Sequence, residues 1–310
     1  MQYNEELVSI IIPTYKRNNK IERAINSAIN QTYKNVEIIV VDDNYPESEW
    51  RTKTENVMQK YRDSCNIRYI KHKKNCGAGI ARNTGISAAR GDYISFLDDD
   101  DWYEEKKIEL QMKALQLLST ERIGIIYCDM RGIDEHEKTV WLKTIEYNGL
   151  PFVESVTNDC ISPTSTWLCP QKALRQLRGF MSIPAKQDVL LMAQLIAEGY
   201  KIYRVPQILV NYSCHSDEKI SENLNSKIIG IQYIRNFART RYSTLGESDI
   251  KKVESKNAIK LFNLYATNGN YSGVKEEFKN ILRYSKLKQT IKYTIKKLFL
   301  FGRLKWEIAR

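Results

Sequence analysis

The chain has 310 residues, 42% of them hydrophobic and 27% charged, enough apolar material for one large globular domain or a domain with a substantial extension. The longest apolar runs fall well short of the roughly 20 residues of a membrane-spanning helix, and the polar, acidic start "MQYNEELVS" reads as neither a signal nor a transit peptide. Its 6 cysteines contain no C-x-x-C pair, which favours reduced thiols in a cytoplasm over a disulfide framework or a zinc site. The formal charge of +11 is uneven: residues 281–310 carry nine Lys or Arg against a single acid, Glu307.

In chain order, "VSIIIP" (8–13) is a continuous apolar run, the pattern of a strand buried on both faces. A helix follows, with Ile21, Ala24, Ile25, Ala28 and Ile29 on one face. "VEIIVVDD" (36–43) predicts a second buried strand ending in acid, and a charged helix over about 47–63 leads to a third strand, "IRYIK" (67–71). A glycine-bearing helix at about 78–90, a fourth strand at 92–97 and a helix from about 102 to 118 continue the alternation. Strands at 122–129 and 138–143, a loop over 148–166, two helices ("PQKALRQL", "QDVLLMAQLIAEG") and two strands ("KIYRVP", "QILVNYSCH") complete this part. Beyond residue 217 the pattern is helical. Alternating strands and helices imply right-handed crossovers and a mostly parallel α/β sheet with helices on both faces. The expected division is an α/β domain over 1–216 and a basic helical region over 217–310.

In open α/β sheets ligands bind beyond the carboxyl ends of the strands, and both acidic clusters, 42–43 and 98–101, fall there. Asp101, three residues before Glu104, reads as the N-cap of a helix starting near 102. Capping leaves Asp98, Asp99 and Asp100 unexplained. Along an extended stretch Asp98 and Asp100 share one side, which suits a hard cation such as Mg²⁺ or Mn²⁺; a solvated turn is the alternative. Asp42 and Asp43 suit equally a turn and a contact with a nucleotide's base or ribose. "CGAGIARNTG" matches a dinucleotide fingerprint only in part, since Arg82 stands at the third glycine position; its glycines suit close backbone approach and a helix N-terminus open to phosphate.

The stretches "VSIIIPTYKR", "INQTYKNVEIIVVDD", "GAGIARNTGISAARGDYISFLDDDDW", "STWLCPQKALRQLRGF" and "QDVLLMAQLIAEG" resemble, in order, the family-2 glycosyltransferases of the GT-A fold, over roughly residues 8–215. The resemblance implies transfer of a sugar from a nucleotide sugar, most often a UDP-sugar, with inversion at the anomeric carbon. By it, Pro13, Thr14 and Tyr15 line the nucleotide pocket, and Asp43 holds the base with Asp42 beside it. Arg82 and Asn83 lie near the nucleotide and diphosphate. Asp98 and Asp100 form the D-x-D pair that holds Mn²⁺ or Mg²⁺, with Asp98 and Asp99 also counted among the nucleotide's neighbours. Asp188 matches the catalytic base, and helix capping is its alternative use. His215 matches a histidine near the metal or diphosphate.

This sequence departs from the pattern at Asn44-Tyr45, where the family has Gly-Ser, and at Gln187, where it has Glu. The Q-x-x-R-W motif of processive synthases is absent, which points to single-sugar addition. The implied acceptor is a glycan or lipid-linked glycan. The alternatives are a sugar nucleotidylyltransferase, though "PTYKRNN" lacks that class's glycine-rich phosphate loop, and a catalytically inactive binding or scaffold protein. The segment 281–310 has the pattern of a basic amphipathic helix that lies on an anionic membrane, against the alternative of packing on the catalytic domain. With no nucleic-acid module beside the charge, nucleic acid is not an expected partner. The expected location is the cytoplasm, with peripheral attachment to the membrane's cytoplasmic face.

Overall fold

The computed structural model describes residues 6–17, 20–158, 161–214, 223–286, 292–294 and 296. In chain order the elements are β1 (Val8–Thr14), α1 (Ile21–Ile29), β2 (Val36–Asp42), α2 (Glu49–Gln59), β3 (Ile67–Lys71), α3 (Ala78–Ala88), β4 (Tyr93–Phe96), β5 (Trp102–Tyr103), α4 (Lys107–Leu117), β6 (Ile123–Ile133) and β7 (Thr139–Lys143). They continue with α5 (Phe152–Thr157), β8 (Leu168–Pro170), α6 (Gln171–Gln176), α7 (Gln187–Ala197), β9 (Lys201–Ser213), α8 (Leu224–Arg239), α9 (Glu247–Thr267) and α10 (Tyr271–Tyr284).

Two compact units result. The first comprises Met1–Pro151, Cys160–Ser182 and Leu191–Asp217, and the second Phe152–Asp159, Ile183–Leu190 and Glu218–Arg310. The expected boundary after residue 216 lies outside the described residues; two short segments from the N-terminal part of the sequence group with the helical unit.

The first unit is a mixed α/β sheet whose strands run β3-β2-β1-β4-β8-β6-β9-β5, with β7 paired to β6. The β3-β2-β1-β4 block is parallel, as its apolar runs predict: every residue of β1 and β2 is buried. Helix α1 turns Ile21, Ala24, Ile25 and Ala28 into the core. Helix α3 lies so close to the sheet that a Cβ on Gly85 would stand 2.4 Å from Cγ2 of Ile11. The chain winds outward from β1 through β2 to β3, then returns to place β4 on β1's other side. The gap between the ends of β1 and β4 is therefore a topological switch point, where such sheets leave a crevice.

Beyond β4 the sheet departs from the mostly parallel expectation, because β8, β5 and β7 pair antiparallel to their neighbours. The helix expected from about 102 begins at Lys107 instead. Trp102 and Tyr103 form the short strand β5 against Asn211 and Val210, a tertiary pairing that overrides their helical pattern. The two strands expected around Pro206 are the single strand β9. Its register against β6 shifts there, from Cys128↔Val205 to Asp129↔Ile208, so the proline, which has no N–H, sits in a bulge. The stretch 148–166, expected as loop, contains α5 and a helical turn at Thr164–Thr166.

The second unit is helical in its described residues. Asn223 and Asn270 cap α8 and α10 by accepting the N–H groups of Ser226 and Gly273. Ala258 and Phe262 of α9 pack with Val274, Phe278 and Ile281 of α10. Within this core Arg235, 5% exposed, bridges Glu254 (2.6 Å) and Glu277 (2.8 Å).

Candidate active site

Ile11 of β1 is paired with Phe96 of β4, so three residues further on Thr14 and Asp99 reach the same level at the switch point. The backbone N–H of Tyr15 there donates to Asp99 Oδ2 at 3.3 Å. The aspartates are not an extended stretch. Asp101 N–H donates to the Asp98 carbonyl at 3.1 Å, closing a turn that sends successive carboxylates in different directions. Asp98 Oδ1 meets Arg82 Nη2 of α3 at 2.6 Å, and Asp100 Oδ2 lies 3.6 Å from Arg17 Nη2 in the loop after β1. Arg23 Nη2 donates to the Asp100 carbonyl at 3.3 Å while its guanidinium stacks 3.5 Å over the Trp102 ring.

Asp101 is not a helix cap. Its carboxylate is buried, accepting Ser165 Oγ–H at 2.8 Å and Ser213 N–H at 3.3 Å, and α4 starts six residues later. Ser165 also accepts the N–H of Asp98 at 3.2 Å, so one hydroxyl pins both ends of the turn. Ser165 and Arg17 carry no signal in their residue type. The signal available for them was position alone, in the "STW" and "PTYKR" stretches.

Burial, then the charge of Asp98, pushes the Asp100 carboxyl up; burial, then Asp100, pushes Asp99 and Asp101 well above the usual carboxylate range. Carboxylate oxygens alone, crowded and undercompensated at a sheet edge, are a donor set that fits a hard divalent cation. Asp98 and Asp100 are the residues that could hold it. His215, the third expected ligand, lies outside the described residues.

Beneath the turn Lys107 is fully buried, donating to Ser95 Oγ and Gln111 Oε1, both at 2.8 Å, and to the Trp167 carbonyl at 3.3 Å. Burial lowers its pKa to about 8.

At the end of β2 the two aspartates are held differently. Asp42 pairs with Arg51 at 3.0 Å and accepts from Asn44 and the Tyr69 hydroxyl. Asn44, in the family's glycine position, also accepts the Lys16 N–H at 2.9 Å and so ties the loop after β2 to the loop after β1. The Asp43 carboxylate bonds His72 Nδ1 (2.7 Å) and accepts from the N–H groups of Cys76 and Gly77 (2.8 Å each) and from Asn75 Nδ2 (3.0 Å). Gly77 is the N-cap of α3 with φ of 87°, so Asp43 supplies from another strand the anion that the helix's positive end attracts. The helix N-terminus expected to be open to phosphate is filled by Asp43 at this amide.

Of the three residues around the end of β1, Tyr15 thus meets the Asp98–Asp100 turn through its amide, where Arg82 also reaches Asp98, while Pro13 and Thr14 are buried. Asn83 is committed elsewhere: its amide donates to the Phe180 carbonyl and accepts the Phe180 N–H, each at 2.7 Å. Asp188 belongs to the second unit, half-buried in the first turn of α7, and Gln187 beside it donates to the Ile183 carbonyl at 2.7 Å.

Among known proteins, residues 9–175 match the family model "Glycosyl transferase family 2". An uncharacterized glycosyltransferase of Rickettsia prowazekii is 42% identical over 229 residues, 71% of this chain and 67% of that protein. Further relatives from Rickettsia felis, Rickettsia conorii and Rickettsia bellii are 35–36% identical, and there the chain spans only about a third of their length (35%, 33% and 30%). An Escherichia coli UDP-Glc:alpha-D-GlcNAc-diphosphoundecaprenol beta-1,3-glucosyltransferase is 39% identical over 122 residues, 39% of this chain and 45% of that one. Of solved structures, S. aureus TarS 1-349 in complex with UDP-GlcNAc aligns with a TM-score of 0.71 at 16% identity, covering 96% of this chain and 92% of that one. A Pyrobaculum calidifontis mannosyltransferase bound to GDP-Man and Mn²⁺ aligns at 0.55 and 13% identity, covering 96% and 81%. The strand order with its switch point, the family match over more than half the chain and the Rickettsia relatives agree: this chain belongs to glycosyl transferase family 2.

Proposed function

We propose that the protein is an inverting glycosyltransferase that moves one sugar from a nucleotide sugar, most simply a UDP-sugar, to a hydroxyl of a glycan or lipid-linked glycan in surface-polysaccharide biosynthesis. The observation that carries the proposal is the crowded carboxylate turn Asp98–Asp101 at the switch point, faced by Arg82 and Arg17. The UDP-GlcNAc bound to TarS and the UDP-Glc and diphosphoundecaprenol substrates named for the Escherichia coli relative support the donor and acceptor classes. In this reading Pro13, Thr14 and Tyr15 line the nucleotide pocket. Asp43 acts at the base end through the loop it holds. Asp188 takes the acceptor hydroxyl's proton as that oxygen bonds the anomeric carbon and the bond to the nucleoside diphosphate breaks. Mn²⁺ or Mg²⁺ held by Asp98 and Asp100 would neutralise charge growing on the departing diphosphate. The guanidinium groups of Arg82 and Arg17, freed from those carboxylates, then have phosphate oxygens as partners.

The catalytic unit would span 1–216 and the basic helical region 217–310, with 281–310 drawn to the anionic cytoplasmic face of a membrane. Much of that segment lies outside the described residues, and no helix among the described ones is long and apolar enough to cross a membrane.

A nucleotide-sugar turnover assay with Mn²⁺ tests the core of the proposal. Asp188→Asn is expected to keep donor affinity and lose about 10²–10⁴-fold in kcat, the usual worth of a general base. Asp100→Asn is expected to abolish divalent-dependent turnover with the fold intact. Full turnover of Asp188→Asn, or full activity of Asp100→Asn in EDTA, would refute the assignment.

A further inference from the structure

In the helical unit, Ser248, Lys251, Lys252 and Ser255 recur at i, i+3, i+4 and i+7 on α9 and so share one face. That face opens onto a cleft of about 630 Å³, closed on its other side by the C-terminal end of α10 with Arg283, Ser285 and Lys286; Lys256 of α9 also lines it. We propose that this cleft binds a phosphate-bearing ligand of the diphosphate class, at a site separate from the nucleotide crevice of the first unit.

The charge pattern is the first argument. Lys251 and Lys252 are balanced by Glu247 (2.6 Å) and Glu154 (2.8 Å). Among the described residues no carboxylate is paired with Lys256, Arg283 or Lys286. Three unbalanced cations around one concave surface repel each other and raise the local potential, which a polyanion relieves. The negative end of α10 explains basic residues at 283 and 286. It does not explain Lys256, which stands in the body of α9 and lines the same cleft.

The floor is the second argument. Ser255, 7% exposed, and Ser285 bond each other through their Oγ atoms at 2.7 Å, joining α9 to the end of α10. Such a pair uses only one of its two hydroxyl protons, so a second O–H is left to donate to an oxyanion. Mobile ammonium groups, one guanidinium and hydroxyl donors together are the groups that hold phosphate oxygens. The guanidinium of Arg283, 5.2 Å from the centroid of the Tyr284 ring, is partly ordered by that contact. The volume exceeds that of an inorganic phosphate and lies in the usual range for sites of larger ligands, so the phosphate is expected to carry an attached body.

The experiment uses the full chain and inorganic pyrophosphate as probe, without divalent metal, and repeats it in R17Q/R82Q, which removes two cations beside the acidic turn of the first unit and is expected to keep the saturable pyrophosphate binding. Saturable binding by calorimetry that weakens with added salt is expected. Lys256 and Arg283 are both exposed, so the double substitution K256E/R283E should fold normally and weaken binding by about tenfold or more. K256Q/R283Q, which adds no negative charge, should weaken it in the same direction. Sedimentation with phosphatidylglycerol vesicles, and phosphatidylcholine vesicles as control, separates the two sources of the ligand. Pyrophosphate that releases bound vesicles identifies a lipid headgroup as occupant; pyrophosphate binding without vesicle binding identifies a soluble one. Absence of saturable pyrophosphate binding, or equal affinity in parent and both double variants, overturns the proposal. Because the readout is binding outside the nucleotide crevice, it stands or falls separately from transferase activity.

Discussion

Replacing Asp43 by alanine separates two roles that a carboxylate at the end of β2 could have. Four donors converge on it, from His72, Asn75, Cys76 and Gly77, and two of these are the backbone amides leading into α3. Losing the capping anion costs ~1–2 kcal/mol. Stranding the half-buried amides, which water reaches in part, adds ~1–2 kcal/mol more. The sum, about 3 kcal/mol, lowers the melting temperature by roughly 6–12 °C for a unit of this size. Calorimetric melting and amide hydrogen exchange at Cys76 and Gly77 measure the effect directly, and donor affinity is measured in parallel. If Asp43→Ala melts with the parent, keeps its amide protection and only loses donor affinity, Asp43 serves the nucleotide alone and the reasoning is wrong.

Ser165→Ala removes the hydroxyl that holds both Asp101 and the Asp98 amide, so it should cost ~1–2 kcal/mol in denaturant unfolding and raise the Mn²⁺ concentration needed for half-maximal turnover. Lys107 has a pKa of about 8 in the fold against the ordinary 10.5 unfolded, so the unfolded chain binds more protons between those values. Its burial penalty is therefore full below pH 8 and is relieved as pH rises: the parent should gain up to ~3 kcal/mol over Lys107→Met between pH 8 and 10.5, and a pH-independent difference would refute this. Arg235→Met leaves Glu254 and Glu277 buried without their shared cation, an expected loss of ~3–5 kcal/mol in chemical unfolding of the helical unit.

The parallel half of the sheet was legible because β1, β2 and β4 are largely apolar runs, and the position of both acidic clusters followed from where those runs end. The geometry of the clusters was not legible. Asp101 followed by Glu104 satisfies a capping pattern locally, yet the chain at Trp102 and Tyr103 is claimed by Val210 and Asn211, more than a hundred residues away. Pro206 looked like a break between strands because it cannot donate to a ladder; the partner strand absorbs it with a bulge. The short segment "FVESVT" carries β-branched residues that disfavour a helix in isolation, and it is helical where α9 packs against it, with Asn257 donating to the Val156 carbonyl at 3.2 Å. Asp43 showed its acidity in the sequence but not its four partners, which lie 29–34 residues downstream across a parallel crossover.

The switch point also sets when the crevice can exist during synthesis. Its walls come from Tyr15, Arg82, Asp98–Asp101 and Ser165, and the Asp101 carboxylate is completed only by Ser213. A ribosome adding roughly 5–20 residues per second makes β1 many seconds before Ser213 emerges. Through that interval β1, β2 and β3 can already pair while the acidic turn lacks Ser213, so nascent chains halted before β9 should present a folded parallel core whose Asp101 carboxylate is held by Ser165 alone. Under the proposed function, donor competence would then arrive late, a step in time that stalled-chain binding measurements can register.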